Sequence, residues 1–236
     1  MTKHLTPAVR IQKARTALLL DHPFFGSLLF HLAGRASGSI KTMATDGVSL
    51  FYNPAFLETL NAAELAGVLA HEVMHPALQH HMRRRDRDRK RWNVACDYAI
   101  NPLLLDAGLT LPKDVLIDHR FRGMSAERIY NLIEEQQDQD SSNGEGENPD
   151  GAASGGEGEK QPDNKSADGD PTAPTTPGGF GQVLDAPQPE GDDGDTVAEQ
   201  SREWKIAVEQ AENVASSQVS CQPALLVASN NPKQQA

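Results

Sequence analysis

Apolar positions recur at helical spacing in several separate stretches of the chain, and one short stretch breaks that rhythm. Residues 6–20 place Val9, Ile11, Ala14, Leu18 and Leu19 on a helical repeat among basic residues, which predicts an opening helix with a core-facing side. Pro23 interrupts it. Residues 24–33 read as a second short helix or a continuation after a bend, with Phe24 and Phe25 assigned to the core. Between residues 42 and 53 the period changes: Met43, Val48, Leu50 and Tyr52, with Asp46-Gly47 between them, predict a β-hairpin with a tight turn. A short helix is expected over 54–60, after which Asn61 and Glu64 supply a capping box for the main helix of the chain.

That helix is expected from Asn61 to about Arg83, with Leu65, Leu69, Val73 and Ala77 forming an apolar stripe every four residues. Pro76 removes the amide that would bond to the Glu72 carbonyl, a cost of roughly 3 kcal/mol in a straight helix, so a kink or early end is expected just past His75. Residues 92–105 read as the next helix, ended by the stretch from Gly108 to Pro112. Ser125 caps another over 126–135, with Ile129, Leu132 and Ile133 inward. The expected fold class is α+β and mostly helical, with a small hairpin or sheet beside the central helix.

Charge divides the chain. Residues 136–199 hold sixteen Asp or Glu against two Lys, a local net charge of -14; removing this from the whole-chain -11 leaves +3 for the rest. The acidic part is Gly, Pro, Asp, Glu and Ser with almost no large apolar residue, so burial cannot offset the entropy of ordering it. The expected organisation is one domain over 1–135, a disordered acidic linker over 136–195, an isolated helix over 196–216 (Trp204, Ile206, Ala207, Val208) and a disordered tail over 217–236. Cys96 and Cys221 flank the linker, which argues against a disulfide framework or a cysteine zinc site. The N-terminus lacks a signal-peptide pattern. The apolar stretch 17–32 is broken by Asp21, His22 and Pro23, too short to span a bilayer, so a soluble cytoplasmic protein is expected. Residues 83–91 carry seven basic residues and two Asp. Without interleaved aromatic residues they read as a solvated helix end rather than a nucleic-acid surface.

The chemistry concentrates in the main helix, where His71-Glu72-Val73-Met74-His75 has the form HExxH. Residues four apart share a helix face, so both imidazoles can turn to one metal ion, while Glu72 can reach a water on that metal as general base. Zinc needs a third protein ligand. Asp97, on the next helix, leads; Asn93 and Asn101, four residues to either side of it, would hold it by hydrogen bonds. His81 is the alternative, ten residues after His71. The enzymes with that spacing need a glycine to turn the chain back, and Leu78 stands in its place here. The expected cofactor is Zn²⁺, and the expected reaction is hydrolysis of a peptide or protein substrate with Glu72 moving the proton. A non-catalytic metal-binding scaffold is the alternative. No oxyanion partner stands out beyond Tyr98 and His80.

Three stretches together, Pro23-Phe24-Phe25-Gly26-Ser27-Leu28-Leu29, HEVMHPALQHHMRR from His71 and the run from Trp92 to Asn101, resemble a group of bacterial and phage metallopeptidases of unassigned function. In that group a zincin-like domain precedes an acidic linker and a von Willebrand factor A-like domain. The resemblance covers about residues 5–135 and again about 203–215. It implies a zincin-like fold in which an edge strand beside the active-site helix can accept a substrate strand, the role for which the hairpin is the candidate. It also implies an AAA-type ATPase as a possible partner. The chain has no DxSxS motif, so a member truncated after about Ala215 is expected.

Overall fold

Caps in the sequence open the helices where expected. The computed structural model describes residues 5–113, 115–142, 181–187 and 195–217. Thr6 accepts from the Val9 amide at the start of α1 (Pro7–Asp21), and Asn53 from the Ala55 amide at the start of α3 (Pro54–Thr59). Asn61 and Glu64 close the full capping box on α4 (Ala62–Ala77): the Glu64 amide donates to Asn61 Oδ1 at 3.0 Å, and the Asn61 amide to Glu64 Oε2 at 2.9 Å. Between α1 and α3 lie α2 (Pro23–Leu28), a 3₁₀ turn over Leu29–His31, and three strands.

The strands β1 (Ala33–Ala36), β2 (Met43–Thr45) and β3 (Ser49–Tyr52) form one sheet in the order β1-β3-β2. β2 and β3 are the expected hairpin, antiparallel with Met43 opposite Tyr52. Its turn is made by Asp46, whose Oδ1 accepts from the Val48 and Ser49 amides, and by Gly47 at φ +88°, a conformation that disfavours any side chain. β1 is an addition to the sequence reading. Ala-Gly-Arg-Ala has no strand pattern and is exposed on both faces; pairing in parallel with β3 makes it a strand.

Helix α4 is buried almost all round, from Leu65 through Pro76, and not only along the expected stripe. Leu65, Val68, Leu69 and Val73 enter the main core with Ile11, Ala14 and Leu18 of α1, Phe25 and Leu28 of α2, and Leu50 of β3. Val9, expected to face inward, is 42 % exposed. Arg15 takes an inward place instead, and its guanidinium donates to the Leu32 carbonyl at 2.9 Å. Each fully buried Leu or Val contributes about 1.5–3 kcal/mol, and α4 supplies four of them to this core.

The helix ends two residues after His75, as Pro76 led one to expect. The one long helix to Arg83 is therefore two: Gln79 adopts a left-handed conformation (φ +58°) and α5 (His80–Arg83) departs in a new direction. Gln79 Nε2 holds this corner by donating to the Ser201 carbonyl at 3.2 Å. Next come α6 (Arg89–Asp106), capped by Asp88 on the Arg91 amide, and α7 (Ala126–Ser142). α7 packs on the first half of α6 around a second core of Trp92, Ala95, Cys96, Phe121, Ile129 and Tyr130. Ile129 is buried as expected, with Leu132 and Ile133 half-buried at its edge.

Two readings of the C-terminal half change. The helix expected over 196–216 forms as α8 (Asp195–Ser217), but it is not isolated. Trp204, Ala207, Ala211 and Ala215 are buried in the main core against α2 and α4, and Trp204 Nε1 donates to the Gly47 carbonyl at 2.9 Å. Of the linker expected over 136–195, residues 143–180 and 188–194 lie outside the described residues, as does the tail 218–236. Residues 136–142 belong to α7, and 181–187 are bonded along the edge of the sheet. Among the described residues no helix is long and apolar enough to cross a membrane.

Gly67 gives a test of how tightly α4 is held. A Cβ there would lie 2.0 Å from the Thr110 carbonyl oxygen, a backbone atom that cannot swing away. Gly67→Ala gains about 1 kcal/mol of helix propensity but meets an overpacking cost of about 1–3 kcal/mol, and rigid backbone puts it at the upper end. The substitution should lower Tm by about 4 °C or more in thermal unfolding; an unchanged or raised Tm would show that α4 and residue 110 are not in contact.

Candidate metal centre

The i, i+4 spacing on α4 places His71 and His75 side by side, and α6 crosses them so that Asp97 comes between. His71 Nε2 lies 3.1 Å from His75 Nε2 and 3.3 Å from Asp97 Oδ1, and His75 Nε2 is 3.6 Å from Asp97 Oδ1. A tetrahedral ion with bonds of 2.0–2.1 Å separates its donors by about 3.3–3.4 Å, so these three atoms stand at ligand spacing. All three residues are buried, and Glu72 is 0 % exposed beside them.

Hydrogen bonds around the cluster select its protonation. Asn101 Nδ2 donates to the Leu116 carbonyl at 2.9 Å, which turns Asn101 Oδ1 towards His71 Nδ1, also at 2.9 Å. His71 therefore carries its proton on Nδ1 and presents a bare Nε2 to the cluster. His75 Nδ1 faces His80 Nδ1 at 3.3 Å; a proton on the former leaves His75 Nε2 bare as well. Burial, reinforced by the neighbouring histidines, pushes His75 well below the usual imidazole range and keeps it neutral. Both imidazole nitrogens then face Asp97 Oδ1, at 3.3 and 3.6 Å. Both Glu72 oxygens are buried and unpartnered. Burial first, and then the nearby Asp97 charge, push the Glu72 carboxyl well above the usual carboxylate range; burial raises Asp97 against the pull of His71. Two imidazole nitrogens and two buried carboxyl groups converging at this spacing fit a divalent cation.

Among the described residues a second group, His75, His80 and Cys96, has donors close enough for a metal. It shares His75 with the first and has no orphaned carboxylate beside it. Burial holds the Cys96 thiol well above its usual range, which keeps it protonated. The first group is the better site.

The other residues expected at the site take different places. His81 is not in the cluster: past the Gln79 corner its ring packs on Gly47, where an added Cβ would lie 2.4 Å from Nε2. Its pKa falls to about 4, chiefly through burial, with Asp46 and Gln200 pulling the other way. Neither Asn bonds Asp97 as expected. Asn101 acts through His71. Asn93 Nδ2 donates to the Gly181 carbonyl at 3.0 Å, and its Oδ1 accepts from the Val183 amide at 2.8 Å. Tyr98 stacks edge-on against Phe121, away from the cluster, while His80 supports His75 and accepts at its carbonyl from Trp92 Nε1.

The basic run is not a solvated helix end. Arg83 forks onto Glu127 of α7 at 2.6 and 2.9 Å, Arg91 pairs with Glu134, and Arg87 lies over the rings of Trp92 and Tyr130. Arg84 and Arg89 both bind Asp185. The acidic partners sit 43 to 101 residues away, so sequence reading missed them. The available signal was the apolar group Phe180, Val183 and Leu184 inside an otherwise mostly polar linker.

Comparison with known proteins agrees with this geometry. Residues 6–228 match the family described as "putative metallopeptidase domain", and the chain belongs to that family. An uncharacterized protein of Thermotoga maritima is 41 % identical over 115 residues, which make up 45 % of this chain and 29 % of that relative. This chain thus matches less than a third of the relative's length. No solved structure matches the chain.

Asn101 gives a direct test of the centre. Asn101→Leu removes the acceptor that fixes the His71 tautomer and should weaken divalent-metal affinity about 10–100-fold, measured by competition with a chromophoric chelator. Unaltered affinity would separate Asn101 from the metal site.

Proposed function

We propose that the chain is a zinc-dependent peptidase. The observation that carries this reading is the Glu72 carboxylate, wholly buried and unpartnered beside three donor atoms at ligand spacing. A carboxylate in that position costs several kcal/mol to bury, and a role in moving protons accounts for keeping it. His71, His75 and Asp97 would hold the ion. When bound, zinc supplies polarisation of the scissile carbonyl and a lowered pKa for water in the cleft.

Glu72 takes the proton from the attacking water as the new C–O bond forms, and returns it to the amine nitrogen as the C–N bond breaks. The protein environment alone favours the protonated acid, because burial and Asp97 both raise its pKa; the positive charge of a bound ion would work in the opposite direction and favour the base form needed at the start. Asn101 and His80 hold the two imidazoles in orientation. β2, next to α4 in the fold, offers backbone groups for an extended substrate.

A second reading, a metal-binding module without catalysis, is favoured by one feature: the chain's own residues 181–183 lie across the cluster. Both readings share the metal and differ in the fate of a peptide.

Metal content measured by mass spectrometry on the whole chain should give about one zinc, lost in Asp97→Ala and kept in His81→Ala. Loss with His81 and retention without Asp97 would move the third ligand to His81. Glu72→Gln should retain the zinc but lose hydrolysis of a peptide library by about a hundredfold or more. Equal cleavage by that variant would sink the peptidase reading, and zinc with no cleavage by the parent chain would establish the module instead.

A further inference from the structure

Within residues 181–187, residues 182–184 lie along the edge of β2. The Gln182 amide donates to the Met43 carbonyl at 3.1 Å, the Thr45 amide to the Gln182 carbonyl at 3.0 Å, and the Leu184 amide to the Thr45 carbonyl at 2.8 Å. Val183 pairs in parallel with Thr45. The alternate residues face the other way, where Asn93 closes on the Gly181 carbonyl and the Val183 amide. The four residues 181–184 are thus bonded alternately, Gln182 and Leu184 to β2 on one side and Gly181 and Val183 to the single Asn93 on the other. The Ala186 amide continues the contact to the His81 carbonyl at 3.1 Å.

Two side-chain positions give this path its chemistry. Gly181 lies over the metal cluster so closely that a Cβ would stand 2.4 Å from Glu72 Oε1 and 2.9 Å from His71 Nε2. Four residues on, Asp185 receives a two-pronged bond from Arg84 at 2.7 and 2.8 Å and a third from Arg89 at 2.7 Å. Partial burial of Asp185 works against its ionisation, but the two guanidinium groups outweigh it and hold the carboxyl below the usual range. Between them Val183, 5 % exposed, fills a place in the second core beside Trp92 and Cys96.

We propose that this groove is a binding site for an extended peptide of the pattern Gly-x-x-x-Asp, and that the chain's own residues 181–185 are its resident occupant. The backbone bonds accept many sequences. Selectivity comes from the two ends, glycine over Glu72 and a carboxylate between Arg84 and Arg89, with an apolar side chain midway. A peptide arriving from outside must displace the resident strand, so the chain shuts its own cleft until that strand leaves. Calling the incoming peptide a substrate rests on the peptidase reading; the occupancy of the groove does not.

The test uses the whole chain and two readouts that require no cleavage. In hydrogen exchange, the amides of Gln182, Val183, Leu184 and Ala186 should be protected at least about tenfold over unfolded rates, and Asp185→Lys should abolish that protection. In fluorescence polarisation, a labelled peptide spanning residues 179–188 should bind Asp185→Lys at least about tenfold more tightly than the parent chain, since the charge-assisted bonds to Arg84 and Arg89 are then free. The same peptide with leucine in place of Gly181 should not bind. Exchange at unfolded rates in the parent chain would overturn the resident strand, and equal peptide binding by both chains would overturn the competition. Strong binding without hydrolysis would count against the peptidase reading alone.

Discussion

Burial of two carboxylates beside two imidazoles, where α4 crosses α6, constrains the rest of this fold. An ionised carboxylate taken out of water costs several kcal/mol even after the protein relaxes, and an unpaired one costs more. Glu72 and Asp97 are both buried, and among the described residues neither pairs with an arginine or lysine. The surrounding helices cannot remove that cost by packing. They can only fix the donor atoms where a cation would offset it, and the chain of bonds from Leu116 through Asn101 to His71 does that.

The same constraint explains why α4 is buried on every side. A metal-binding helix open to solvent would let water hydrate its carboxylate and loosen its histidines. Here α1, α2 and the sheet cover one part of α4, α6 another, and α8 a third. The closure of the last side depends on charge as well as on apolar area. Arg83 ties α5 to α7, while Arg84 and Arg89 tie the strand 181–187 across the mouth of the cleft. Half-exposed ion pairs of this kind contribute about 1 kcal/mol or less each, so they orient segments that the two cores have already assembled.

Family membership and site geometry point the same way from independent sides. The family match rests on sequence over most of the chain, whereas the donor spacing is a property of the crossing between two helices. Hydrophobic period placed the helices, and the HExxH spacing placed two histidines side by side with a glutamate next to them, because both are consequences of 3.6 residues per turn within one element. The capping box at Asn61 and the turn at Asp46-Gly47 were legible for the same reason: each is complete within four residues.

Features that join distant residues were another matter. The sequence by itself determined α4 with its paired histidines, the hairpin, and the shortage of apolar residues in the acidic stretch. Asp97 could be ranked ahead of His81 from the sequence, but that His81 lies away from the cluster depends on Gln79 turning left-handed. β1 became a strand only through β3, and α8 lost its independence only when Trp204 met Gly47. Val183 and Asp185 found their partners 90 and about 100 residues away in the chain, at Asn93 and Arg84. Local backbone geometry leaves its period in the sequence. Contacts between separate elements leave no such period, since which residues meet is decided by the packing of the whole core.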